Sequence, residues 1–223
     1  MGQRAELFSD CNLLNGIPKV GGFMSLHLAE EQKVEELLKS GKAASGLLQF
    51  LSVSQIASPR KLFEWEAQTN FMPWATIGQH PVFPIDDQRM LSEIMQCEGS
   101  LLSIAVFLPN EAKGRVQAQD DPQARIFSSR FAASECVFDT SATARTMLVV
   151  AQAYYHCWRA SVDGNEVPLW RANYAFQALE IPAGRHQVRL RYVDRVFQTG
   201  AVISMVALMT CIGVIWKGPR QRF

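Results

Sequence analysis

The spacing of hydrophobic and polar positions changes period twice along this chain. Near the start it is helical. Residues 26–40, LHLAEEQKVEELLKS, place Leu28, Val34, Leu37 and Leu38 on one face, with acids early and Gly41 as a stop. GLLQFLSVSQIA then reads as a helix end running into a strand, bounded by Pro59. Residues 60–85 carry Pro73, Pro81, Pro84 and isolated aromatics, a pattern that predicts an extended connector. A second helix is expected over 86–97, capped by Asp86, with Met90, Leu91, Ile94 and Met95 as its apolar face and Gly99 ending it.

After Gly99 the period becomes two. LLSIAVFL, ARIFSSRF, RTMLVVAQAYY, CWRASVD, NYAFQALEI and HQVRLRYV all read as strands. In the last of them Val188, Leu190 and Tyr192 face one way, and Gln187, Arg189 and Arg191 the other. Asp163-Gly164-Asn165 and Pro182-Ala183-Gly184 supply the φ values that tight reversals need. Strands at this spacing without intervening helices predict an antiparallel β-sandwich or jelly roll.

The second change comes at the end. From Val196 to Trp216 no residue is charged, and Lys217, Arg220 and Arg222 follow. As a helix this run covers roughly 30 Å, the thickness of a bilayer's hydrocarbon core. Ser204 and Thr210 can bond their hydroxyls back to the preceding turn, and Trp216 sits where an amphipathic ring prefers the headgroup level. By length this is a transmembrane helix rather than a buried core helix. The fold class expected is α+β: a small α/β segment over 1–99, a sandwich over 100–195, a span over 196–216 and a cytoplasmic tail over 217–223.

Composition narrows the function classes. The net charge of +1 and scattered Arg and Lys give no basic field for nucleic acid. Cys11, Cys97, Cys136, Cys157 and Cys211 show no CxxC spacing, and His27, His80, His156 and His186 show no i, i+4 pair, so neither zinc nor another metal is expected. No disulfide pairing follows from the spacing. There is no GxSxG elbow, and Gly21-Gly22 is no phosphate loop, so no cofactor is expected either. Asp163-Gly164-Asn165 fits a hairpin turn better than a calcium loop. Asp86-Asp87 and Asp120-Asp121 pair carboxylates, but in capping or turn contexts, so no catalytic residue is assigned. Tyr154, Tyr155, Trp158, Trp170 and Tyr174 could stack on sugar rings. Filling a core between two sheets is the commoner use of such aromatics, and Trp158 is expected inward with Ala160 and Val162. The opening MGQRAELFSDCNLLNG has no apolar signal-peptide region. A lone tail-anchored chain would keep its body in the cytosol. A body outside requires the chain to end, or to pair with, a polytopic protein.

The segment from Tyr154 to Ser204 carries more than generic hairpins. Trp158, Val162-Asp163-Gly164, Ala172-Asn173, Phe176, Pro182-Ala183-Gly184, His186, Val188, Tyr192, Phe197 and Gly200 occur in one order across strands, turns and the start of the span. This string resembles the C-terminal region of the YfhO family of bacterial polytopic membrane proteins, which look like GT-C type glycosyltransferases acting on lipid-linked sugars. Asn12–Phe23, LLQFLSVSQIA and FMPWATI are similar to the family's extracytoplasmic part. Cys157 stands where the family usually has Gly, and MPWA replaces a Pro-Arg pair. The resemblance implies an extracytoplasmic accessory domain and last span, held in the cell membrane and not catalytic alone. The early loop expected to carry the family's catalytic acid has no counterpart in these residues. The implied partners are the lipid bilayer, an upstream polytopic core and a glycan or lipid-linked sugar, with Trp158 and Asn173 as candidate binding residues. The alternative is a stand-alone membrane-anchored surface protein that binds glycans.

Overall fold

The computed structural model describes residues 28–39, 45–57, 61, 64–96, 101–132 and 134–217. The expectations at Cys11, Asn12–Phe23, His27, Gly41, Pro59, Cys97, Gly99 and the tail after Lys217 lie outside the described residues. Two short helices come first, α1 (Ala29–Lys39) and α2 (Ser45–Phe50). Glu30 and Glu31 occupy the first turn of α1, where carboxylates meet the positive end of the helix dipole. A two-stranded antiparallel ribbon follows, β1 (Gln55–Ala57) with β2 (Trp65–Ala67).

Two five-stranded sheets make the body. Sheet I runs in the order β10 (Leu169–Ala172), β11 (Phe176–Ile181), β7 (Thr146–Ala153), β3 (Ala75–Val82), β4 (Ala105–Phe107). Sheet II runs β5 (Arg125–Ala132), β6 (Glu135–Ala142), β12 (Gly184–Tyr192), β8 (Trp158–Val162), β9 (Asn165–Val167). Pairing is antiparallel except between β3 and β4. The outer face of sheet I is covered by α1, α2, α3 (Asp87–Gln96) and the single turn α4 (Leu101–Ile104).

Sheet I is therefore buried on both faces, and its sequence shows it. Along β7, Met147 and Val149 face the helices with Phe50, Met90 and Ile94, while Leu148 and Val150 face sheet II with Phe138, Trp158 and Leu190. A strand buried twice reads as an unbroken apolar run, as TMLVV does. Sheet II has only one buried face, so β12 alternates. The fold is α+β, with a helical layer, two stacked sheets and a terminal span.

Three local expectations change. The predicted connector over 60–85 contains β3, a central strand despite Pro81. Its first half pairs with β7 up to Gln79 and its second half with β4 from His80 onward. Pro81 thus lies beyond the end of the β7 ladder, where its missing N–H leaves no gap. Gly78 forms a bulge within the first half, between Ile77 and Gln79, at φ +101°. Over 101–108, predicted as one strand, the chain makes the turn α4 before β4. The strand β6 was not predicted. Its Cys136-Val137-Phe138 run hides the alternation because Val137 is buried on the outer side of the sheet.

The last helix, α5 (Arg195–Lys217), is the membrane span. Arg195–Gly213 has a mean hydropathy of 1.8, and none of it is buried against the body. Thr199 and Thr210 donate their hydroxyls to the carbonyls of Arg195 and Val206, both at 2.8 Å, which makes them tolerable in lipid.

Gly78 gives a direct test of the bulge. A Cβ there would lie 2.5 Å from the Asp121 carbonyl oxygen, and the positive φ excludes most side chains. Gly78→Ala should cost about 1–3 kcal/mol, the usual cost of a strained backbone position. Thermal melting of the full chain in detergent would show it; an unchanged melting temperature contradicts the bulge geometry.

Candidate functional site: the span end of the sandwich

The span grows out of the middle of sheet II. β12 is hydrogen-bonded to β6 on one side and β8 on the other. At its end the Tyr192 N–H donates to the Ser134 carbonyl at 2.8 Å and the Val193 N–H to the Cys157 carbonyl at 2.9 Å. Asp194 then caps α5, its Oδ1 accepting from the Phe197 N–H at 2.8 Å. No free linker separates the sheet from the bilayer.

This end is aromatic. Tyr192 stacks on Tyr155 with ring centroids 6.3 Å apart and meets Trp158 edge-on at 5.7 Å. Trp74, Phe131 and Phe138 form a second edge-on chain, at 4.3 and 5.7 Å, that ties the two sheets together. Phe131 remains half exposed. The thiols of Cys136 and Cys157 are buried and unbonded to each other or to any described cysteine. Burial, with Glu135 beside it, pushes the Cys136 thiol up to about 11, so it stays protonated and inert.

The opposite end is polar. Asp121, 3% exposed, gathers the Thr143 N–H at 2.6 Å, the Ala144 N–H at 3.0 Å, the Thr143 hydroxyl at 2.8 Å and the Gln123 N–H at 3.1 Å. Its own N–H donates to the Gly78 carbonyl at 3.0 Å. Burial raises its pKa, but these donors together outweigh burial and hold it below the ordinary carboxylate value. Nearby, Asp163 accepts from the Gln187 N–H at 2.8 Å and faces His186 Nδ1 at 2.6 Å. The Asp163 hydrogen bond is the main cause that raises His186, and the same bond lowers Asp163. Asp163 and Gly164, at φ 50° and 83°, make the tight hairpin that the sequence predicted.

The residues singled out from sequence fall into place individually. Trp158 is 8% exposed, inward with Ala160 and Val162. Asn173 sits at φ 46° in the β10–β11 turn and clamps β4 twice. Its Oδ1 accepts from the Phe107 N–H at 2.9 Å, and its N–H donates to the Phe107 carbonyl at 2.8 Å. Its Nδ2 is buried with no hydrogen-bond partner. Trp158 and Asn173 lie in different cores' surroundings and share no cleft in the sheet order. Asp86 accepts from the Arg89 N–H at 2.7 Å as a helix cap. Asp87 takes Arg171 Nη2 on both carboxylate oxygens at 2.8 Å, strapping α3 to β10. Among the described residues no three His, Cys, Asp or Glu converge on a possible metal position. The aromatic rim at Tyr192 was missed in sequence, although Tyr192's position just before the span was the available signal.

Two measurements check this division of labour. Trp158→Ala should cost about 3–5 kcal/mol by denaturant unfolding; unchanged stability with loss of sugar binding would make the ring a stacking platform instead. Asp121 contributes stability that is full above its unfolded value and is lost as pH falls through its lowered folded value. Asp121→Asn should therefore cost about 1.5–3 kcal/mol at pH 7 and lose less than wild type on moving from pH 5 to pH 3. Parallel acid curves for the two proteins would contradict the role given to Asp121.

No curated protein matches the chain. Residues 124–204, from the start of sheet II to the middle of the span, match the family model described as "Bacterial membrane protein YfhO".

Proposed function

We propose that the chain is the extracytoplasmic accessory body and last span of a YfhO-like membrane protein concerned with lipid-linked sugar transfer, and that it does not catalyse alone. The observation that carries this reading is the extent of the family match, which crosses the sheet-to-span junction without a break and ends inside α5. Strands β5–β12 and the first part of the span thus fall within one matched stretch, and the further spans of such a protein would supply the natural neighbour for this helix. The carboxylates support the same reading. Asp86 caps a helix, Asp87 pairs with Arg171, and Asp121 is consumed by four donors. Sugar transfer needs carboxylates placed around the reacting bond or a metal against a diphosphate. Gly200, Ser204, Ala207 and Cys211 recur at alternating spacings of four and three along α5, a small-residue face that lets another helix approach closely.

The test is an assay of the purified chain in lipid with polyprenyl-phosphate sugars and acceptors. No turnover is expected from the chain alone, and turnover is expected after co-reconstitution with a polytopic YfhO-family core. Turnover by the chain alone that disappears in Asp87→Asn or Asp121→Asn overturns the accessory role.

A further inference from the structure

The outer face of sheet II carries a feature that the proposed function does not use. Register places Arg130, Val137 and Arg189 in one outward row, and Glu135, Arg191 and Arg159 in the next row toward the span. Arg130, Phe131, Glu135, Val137 and Arg189 line an open hollow of about 300 Å³ between these rows. Arg130, Arg159, Arg189 and Arg191 outnumber the nearby carboxylates Glu135, Asp139 and Glu166. Glu135 stands 3.7 Å from Arg189 and Glu166 3.9 Å from Arg159, both at the long limit of an ion pair. Asp139, one row farther from the span, is bonded by Ser128 and Gln187 and feels the charge of Arg130, without forming an ion pair with it. Among the described residues, Arg130 and Arg191 enter no ion pair.

We propose that this hollow holds the phosphate of an anionic bilayer lipid, seating the sandwich in the headgroup layer. Three observations select a lipid phosphate. The junction at Tyr192, Val193 and Asp194 fixes the end of β12 at the membrane surface. Two residues of strand separate Arg191 from Arg189, about 7 Å. The headgroup region itself adds roughly 5–8 Å on each side of the hydrocarbon core. Arg191 stands four residues before the first residue of the span, so the two arginine rows are the part of this face nearest the headgroup layer, and flexible guanidinium stems reach back toward its phosphates. Exposed Phe131 and half-exposed Tyr192 flank the arginines at the same end, the pairing of aromatic and basic groups suited to an interface. A guanidinium fork also matches phosphate geometry, with two parallel N–H donors.

The experiment uses the full chain in nanodiscs of mixed phosphatidylglycerol and phosphatidylcholine, with native mass spectrometry reading the ratio of the two lipids retained. A basic residue at a membrane surface is worth ~1 kcal/mol, so each arginine removed should lower the ratio about fivefold. Arg189→Gln and Arg130→Gln should each do so, while Arg189→Lys should keep most of the preference. Arg220→Gln/Arg222→Gln provides a control for the tail. Retention of the wild-type ratio in Arg130→Gln/Arg189→Gln/Arg191→Gln, with its loss in the tail variant, overturns the proposal. Abolition of the preference by millimolar inorganic phosphate would make this a soluble-anion site and overturns the lipid assignment.

Discussion

The hydrogen-bonded position of β12 is the constraint on which the rest depends. It is the middle strand of sheet II, paired with β6 from Gly184 to Arg191 and with β8 from Val188 to Tyr192, and it leads into the span with only Val193 and Asp194 between. A strand in that position cannot swing away without breaking two ladders. Any force on the span is carried into the sheet, and through Phe138, Leu190 and Trp158 into the core shared with sheet I. An edge strand would have made a hinge; a central strand makes a mount.

That mount explains why the two ends of the sandwich differ. Near the bilayer the contacts are between rings, Tyr155 with Tyr192 and Trp74 with Phe131, which tolerate a boundary that is apolar on one side and wet on the other. At the far end the contacts are hydrogen bonds to Asp121 and Asp163, which fix the reversals between strands. Such bonds are worth most where the acceptor is charged and withdrawn from water, as Asp121 is. Sheet I, buried on both faces, supplies the stiffness between the two ends.

Much of this was legible in the sequence, for identifiable reasons. The span, the β12 alternation and the Asp163-Gly164 hairpin depend on local chemistry, so period and turn residues sufficed. Trp158 was readable as inward because Ala160 and Val162 share its face. β3 was not, because its two halves have different partners, and only those partners make Pro81 acceptable. β6 was hidden by Val137, whose burial depends on the row of side chains beside it. The aspartates were readable as capping and turn residues, but the partners Arg171 of Asp87 and Thr143 of Asp121 are distant in sequence and were not. Register across sheet II likewise brings Arg130 beside Arg189, a neighbourhood that neither segment announces.

The central claim is that the sheet and the span form one stiff connection. Amide hydrogen exchange of the full chain in nanodiscs, resolved at Tyr192, Val193 and Phe197, tests it most directly. These three amides donate to Ser134, Cys157 and Asp194, and the account predicts exchange as slow as that of Val188 and Leu190 within the strand. Rapid exchange at Val193 and Phe197 beside a protected Leu190 would reveal a loose tether and contradict it.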